Sequence, residues 1–257
     1  MKATPKKSLG QHWLFDEKIL DSIVKTAEVK AGDNVLEVGP GLGTLSEKLV
    51  RTGAEVYAVE KDESLARDLK DHIKQSNFNL FIADILQFDL SALPPGYKVV
   101  ANIPYYLTSN LIRNLTESPN PPASITLLVQ KEVAQRICAE PGQMSLLSVS
   151  AQLYYSCNLS IEVGKDKFTP PPKVDSQVVH LVRKNSDNIP KIDKKHFFKV
   201  VKAGFSSRRK TLLNSLSGGL DMDKRAVEES LSAIGISPGQ RPQELSLSDW
   251  FRLSEKF

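Results

Sequence analysis

The chain of 257 residues is 40% apolar and 25% charged, with 34 Lys and Arg against 30 Asp and Glu for a formal charge of +4. That composition excludes a disordered, collagenous or membrane-embedded chain and allows one large domain or two smaller ones, folding without disulfides or a structural metal. Cys138 and Cys157 make neither a disulfide framework nor a four-ligand zinc site, and His12, His72, His180 and His196 have no metal-ligand spacing, so no metal is expected. The basic N-terminal stretch is not followed by the apolar run of a signal peptide, and no apolar run reaches bilayer length; the expected location is the reducing cytoplasm.

Along the chain, Asp16 can cap a helix that carries Ile19, Leu20, Ile23, Val24 and Ala27 at helical spacing and closes at Gly32. Strand and helix then alternate. Strands are expected at Val35–Val38, Val56–Val59, Phe78–Ile82, Lys98–Ala101 and Ile125–Val129. Helices are expected at Thr44–Arg51, Leu65–Ile73, Thr108–Leu115 and Lys131–Ala139. Short apolar strands separated by helices imply a parallel sheet covered on both faces, with ligands at the carboxyl ends of the strands. From residue 185 the pattern turns helical, including Lys194–Gly204 and Arg225–Ile234, which sets the domains at 1–184 and 185–257.

The first strand runs into Glu37-Val-Gly-Pro-Gly-Leu-Gly43, a turn whose glycines let a ligand approach the backbone closely. Thr44 stands where a dinucleotide fingerprint needs its last glycine, which argues for a ligand without a pyrophosphate. Glu60 ends the second strand, 21 residues after Gly39, where an acid can accept from both hydroxyls of a ribose. Asp84 follows the third strand, placed to take the exocyclic amine of an adenine. Three such residues at consecutive strand ends describe an adenosine cofactor without phosphate, and S-adenosylmethionine fits.

After the fourth strand comes Asn102-Ile-Pro-Tyr-Tyr106. Adenine N6 is a poor nucleophile because its lone pair is delocalised into the ring. A methyltransferase therefore gains by holding the amine between two acceptors, here the Asn102 side-chain oxygen and a backbone carbonyl near Pro104. Tyr105 offers a ring for the base to stack on, and alignment carries the catalysis.

These motifs, with Gly10-Gln-His-Trp-Leu14, Gln130-Lys-Glu-Val133, Phe168-Thr-Pro-Pro-Pro-Lys-Val-Asp-Ser176 and Phe205-Ser-Ser-Arg-Arg-Lys-Thr-Leu212, resemble the ribosomal RNA adenine N6,N6-dimethyltransferases over nearly the whole chain. Within them the match is to the small-subunit, kasugamycin-resistance branch. The resemblance implies an α/β fold, a Rossmann-like methyltransferase sheet with a small all-helical C-terminal domain. It also implies transfer of four methyl groups onto two adjacent adenosines near the 3′ end of small-subunit RNA, in ribosome biogenesis. The cofactor site it implies is His12, Leu14, Gly39, Glu60, Asp84 and Asn102; the catalytic set is Asn102, Pro104, Tyr105 and Phe168. Phe168 would pack on the target adenine opposite Tyr105, offsetting the unstacking of a flipped base. Three departures stand out: His12, where many members carry Asn, Trp13, where Phe is usual, and Tyr106, where some carry Asn.

Residues 190–257 hold 13 Lys and Arg against 8 acids, so the positive excess belongs to the helical part. Lys194, Lys195, Lys199, Lys202, Arg208, Arg209 and Lys210 occupy 17 positions without an acid and read as a phosphate-tracking RNA surface, with Lys2, Lys6 and Lys7 as a second contact. A monomer is expected, since no heptad or exposed apolar stripe suggests otherwise. Two other functions remain open: a large-subunit adenine methyltransferase of the macrolide-resistance type, and a non-catalytic ribosome-assembly factor.

Overall fold

Asp16 lies in extended backbone and its carboxylate accepts from the Lys18 and Ile19 amides, so the first helix, α1 (Glu17–Thr26), starts where the sequence supplies a cap. The short strand β1 (Trp13–Leu14) precedes it. The computed structural model describes residues 4–6, 9–185, 187, 189, 191–207 and 209–257. There follow β2 (Asn34–Val38), α2 (Thr44–Arg51), β3 (Glu55–Glu60), α3 (Glu63–His72), β4 (Phe78–Ile82), β5 (Lys98–Asn102), α4 (Thr108–Glu117) and β6 (Ser124–Gln130). Each lies within a few residues of its expected place, because these are long, strongly periodic apolar segments.

The chain then continues through α5 (Lys131–Ile137), α6 (Leu146–Gln152), β7 (Tyr155–Val163), β8 (Phe168–Thr169) and β9 (Ser176–Arg183). The main sheet has seven strands in the order β4-β3-β2-β5-β6-β9-β7. Its first five strands are parallel, as expected, but β9 runs antiparallel to both β6 and β7. The connection between Val163 and Ser176 contains no α-helix, and without a helical crossover the chain returns antiparallel. Strand β7 was not legible in the sequence because it is a half-exposed edge strand with an irregularity between Leu159 and Glu162. The centre of the sheet is dry: Val35, Leu36, Val99, Val100, Leu127 and Leu128 are all fully buried, as a sheet covered on both faces requires. A second, two-stranded sheet pairs β1 with β8, matching Trp13 with Thr169 and Leu14 with Phe168.

The chain divides into two compact units: residues up to 135 with 155–183, and 136–154 with 184–257. One sequence boundary, at 184, was expected; the chain crosses between units three times, because residues 136–154 group with the C-terminal helices. The second unit contains α6 together with α7 (Lys194–Gly204), α8 (Leu212–Leu220), α9 (Lys224–Ala233) and α10 (Leu247–Lys256). Asp193 caps α7 by accepting from the Lys195 and His196 amides. Phe197, Leu216, Val227, Leu231, Trp250 and Leu253 form its interior, all fully buried. Among the described residues, no helix is long and apolar enough to cross a membrane.

Candidate active site

Strands β4, β3, β2 and β5 are neighbours in the sheet and parallel, so their carboxyl ends open on one side. The chain runs from β2 outward to β4 and returns to β5 on the other flank of β2. Such a switch point leaves a crevice between the two strands. Gly39 from β2 and Asn102 from β5 line one cavity there, together with His12, Leu14, Glu60, Asp84, Pro104 and Tyr105. Eight of the expected site residues are thus brought together from positions spread over 94 residues of chain.

Gly39 has φ +64°, in the left-handed region that favours glycine, and a Cβ built on it meets nothing within 4 Å. The turn therefore leaves open space where a ligand would lie. Glu60 is 6% exposed; its Oε1 accepts from the Asp62 amide at 2.8 Å and its Oε2 from the Gly41 amide at 3.1 Å. Burial pushes its carboxyl above the usual range, against those two bonds. Each oxygen keeps a second lone pair, enough for the two hydroxyls of a ribose. Asp84 accepts from the Leu86 amide at 3.0 Å and pairs with Lys61 at 2.8 Å, which holds its carboxyl below the usual range.

Sequence reasoning passed over Glu37. It sits on β2 at the cavity wall, 1% exposed, with Oε2 buried and unpartnered. Burial, with a smaller push from Glu60, raises its carboxyl to about 8. The available signal was an acid two positions before the first glycine, flanked on β2 by Val35, Leu36 and Val38.

At the other end of the cavity, the Asn102 Nδ2 donates to the His12 carbonyl at 3.4 Å. A carbonyl can only accept, so the amide nitrogen must face His12 and the Oδ1 faces away from it. The Pro104 carbonyl accepts from the Leu107 amide at 3.0 Å, using one of its two lone pairs. The Tyr105 hydroxyl and Ser176 Oγ are 2.7 Å apart, which tethers the far end of the ring to β9. Leu14 is 1% exposed, and its carbonyl accepts from Thr44 Oγ1 at 3.0 Å, fastening β1 to the start of α2.

Phe168 is not among the residues that line the cavity with Tyr105. It is 3% exposed and belongs to the apolar core with Leu14, Leu20 and Val178, because its pairing with Leu14 turns it inward. The expected sandwich of the adenine between Phe168 and Tyr105 is absent from this arrangement. The ring that does lie over Tyr105 is His12, 5.8 Å away between centroids and inclined by 21°.

The expected RNA surface falls on the second unit. Lys194, Lys195, Lys199, Lys202, Arg209 and Lys210 are exposed there, and no carboxylate pairs with them among the described residues; Arg208 lies outside those residues. Lys195, Lys199 and Lys202 follow one another at helical spacing on α7, opposite the buried Phe197, Val200 and Val201. The Lys194 ammonium lies over the Tyr154 ring at 5.1 Å. Of the N-terminal lysines, Lys2 and Lys7 lie outside the described residues. Lys6, half exposed, pairs with the buried Asp62 carboxylate at 2.8 Å.

A match to the family described as ribosomal RNA adenine dimethylase spans residues 2–257. The ribosomal RNA small subunit methyltransferase A of Dehalococcoides mccartyi (strain CBDB1) is 40% identical over 252 residues, covering 96% of this chain and 87% of that protein. Among solved structures, a dimethyladenosine transferase from Plasmodium falciparum superposes with a TM-score of 0.79 at 27% identity, covering 94% of this chain and 96% of that one. The 23S rRNA methyltransferase ErmE superposes with a TM-score of 0.75 at 27% identity, covering 95% and 98%. The chain carries the strand-end acids, the glycine turn and the Asn-Ile-Pro-Tyr segment in one cavity, and it belongs to the ribosomal RNA adenine dimethylase family.

Proposed function

We propose that this protein dimethylates N6 of two adjacent adenosines near the 3′ end of small-subunit ribosomal RNA, using S-adenosylmethionine as methyl donor, during ribosome assembly in the cytoplasm. The observation that carries the reading is the Asn102 amide, oriented by the His12 carbonyl and standing beside Tyr105 in the same cavity as Glu60. The residues fit the donor on structural grounds: open space at Gly39, two backbone-braced carboxylate oxygens at Glu60, and an unpartnered buried carboxyl at Glu37 suited to an ammonium. When bound, the donor supplies a methyl group on a cationic sulfur.

Glu60 would hold the ribose hydroxyls and Asp84 the adenine amine, sharing its carboxylate with Lys61. Asn102 Oδ1 accepts an N6–H of the target adenine, which draws the amine out of conjugation and turns its lone pair toward the methyl carbon. Tyr105 fixes the plane of the base. Asn102 is not a base, so the N6 proton leaves to water once the nitrogen is alkylated. Alignment and the acceptor supply the rate. The cations of the second unit would follow the phosphate backbone, and the protein would act as a monomer.

The large-subunit reading draws support from ErmE. The 40% identity to a small-subunit methyltransferase over 96% of the chain favours the small subunit. The test is transfer of tritiated methyl groups to immature small subunits lacking the modification, followed by mapping of the labelled bases. Label on paired adenosines of the small-subunit RNA is expected; label confined to large-subunit RNA would overturn the reading.

A further inference from the structure

The His12 side chain makes contacts that cofactor binding does not require. Its Nδ1 lies 2.7 Å from the Pro170 carbonyl, and since a carbonyl can only accept, Nδ1 carries the proton in this bond. The imidazole faces the Tyr105 ring at 5.8 Å and 21°, within the range of offset stacking. Its own carbonyl takes the Asn102 amide at 3.4 Å. One residue on, Trp13 pairs with Thr169, so the two segments are joined by backbone as well as by the imidazole. Asn102, Tyr105 and Pro170 lie 90, 93 and 158 residues from His12 in sequence, yet all three meet there.

The spacing decides what the imidazole can do. A base inserted between two rings needs about 6.8 Å, twice the ~3.4 Å rise of stacked bases. The His12–Tyr105 distance of 5.8 Å is too short for that, so the pair is not a sandwich for the adenine. His12 instead backs Tyr105, leaving the base to use ring surface that the imidazole does not cover. With Ser176 tethering the Tyr105 hydroxyl and His12 supporting its face, the ring is held at two points before RNA arrives.

We infer that His12 is a positioning residue for the target base: its side chain acts on the RNA side of the site, and the cofactor role that the family resemblance implies for this position falls to its backbone, which every His12 variant keeps. It couples Asn102, Tyr105 and the Pro170 carbonyl into one preset frame. The inference rests on the adenine-N6 reading above. Loss of the imidazole removes one of the two holds on the Tyr105 ring and the side-chain link to the Pro170 carbonyl, while leaving Gly39, Glu60 and Asp84 in place.

Three variants separate the two side-chain links. His12→Ala removes both, His12→Asn keeps an N–H donor near the Nδ1 position without the ring, and His12→Phe keeps a ring on Tyr105 without the donor. S-adenosylhomocysteine titrated calorimetrically reports the donor site and also shows that each variant is folded. The expected result is a dissociation constant within about twofold of wild type for all three. On unmethylated small subunits, His12→Ala should lower kcat roughly 10- to 100-fold with KM nearly unchanged, and His12→Asn and His12→Phe should each recover part of the loss. Two results would overturn the inference: weakened S-adenosylhomocysteine binding with normal kcat at saturating donor, or no recovery in either conservative variant. An active wild type with an unaffected His12→Ala variant removes this inference alone. A wild type that labels no adenine removes the adenine-N6 reading and the inference together.

Discussion

Under the proposed function, shortening Asn102 and shortening Glu60 should damage the protein in different ways: Asn102, whose amide nitrogen is held by the His12 carbonyl, would act on the target base, while Glu60, braced by the Gly41 and Asp62 amides, would hold the donor. Asn102→Ala removes the acceptor for the reacting amine, so kcat should fall by about 10²–10³-fold while S-adenosylhomocysteine binds nearly as before. Glu60→Ala removes a pair of charge-assisted hydrogen bonds to the ribose, so the dissociation constant should rise about 10- to 100-fold. Calorimetry and single-turnover methyl transfer on the same two variants check both; a shared pattern of loss would contradict the division of roles. Glu37 makes a prediction about pH. Its folded value of about 8 lies above the ordinary 4.5, so between those values the native protein keeps a proton that the unfolded chain has lost. The stability tied to that proton is complete below about pH 4.5 and is lost as pH rises through 8, by up to about 1.4 kcal/mol per pH unit. Glu37→Gln should therefore match wild type near pH 5 and be the more stable protein at pH 8. Urea unfolding at both pH values checks it, and parallel pH profiles would refute it. The acids at the ends of β3 and β4 were legible as site residues because each follows a recognisable apolar strand. Glu37 was not, because its role depends on what surrounds the strand.

At the scale of elements, two glycines of the helical unit have opposite expectations. A Cβ on Gly204, at the end of α7, would run into the indole of the fully buried Trp250. Gly204→Ala should destabilise by about 1–3 kcal/mol through overpacking. Gly218, in the exposed part of α8, has nothing within 4 Å of a built Cβ, so Gly218→Ala should stabilise by about 0.5–1 kcal/mol through helix propensity. Thermal melts of both variants decide it, and shifts of the same sign would contradict the packing argument. The same contrast explains which elements were legible. α7 and the five parallel strands announce themselves by a buried stripe or a continuous apolar run. Strand β7, with its half-exposed residues and irregular register, and the two-residue strands β1 and β8 have no such local pattern; pairing with distant partners makes them strands.

Over the whole molecule, the excess of positive charge resides in the second unit, where Lys195, Lys199 and Lys202 form an exposed row on α7. If that row follows phosphates, each lysine contributes to counterion release. Replacing all three by Ala should make the salt dependence of ribosomal RNA binding shallower by about 2–3 in the slope of log K against log salt. Titrations from low to moderate salt measure it, and an unchanged slope would place the RNA elsewhere. The sequence by itself determined the glycine turn, the acids at successive strand ends, the Asn-Ile-Pro-Tyr segment and the basic helical region. Each is a short local pattern whose chemistry is set by residue type and by its position after a strand. The tertiary structure alone decided that residues 136–154 group with the C-terminal helices, that Phe168 is buried in the core, and that His12 meets Pro170 and Tyr105. Those outcomes depend on packing and hydrogen bonds between segments up to 158 residues apart, and no local pattern carries that information.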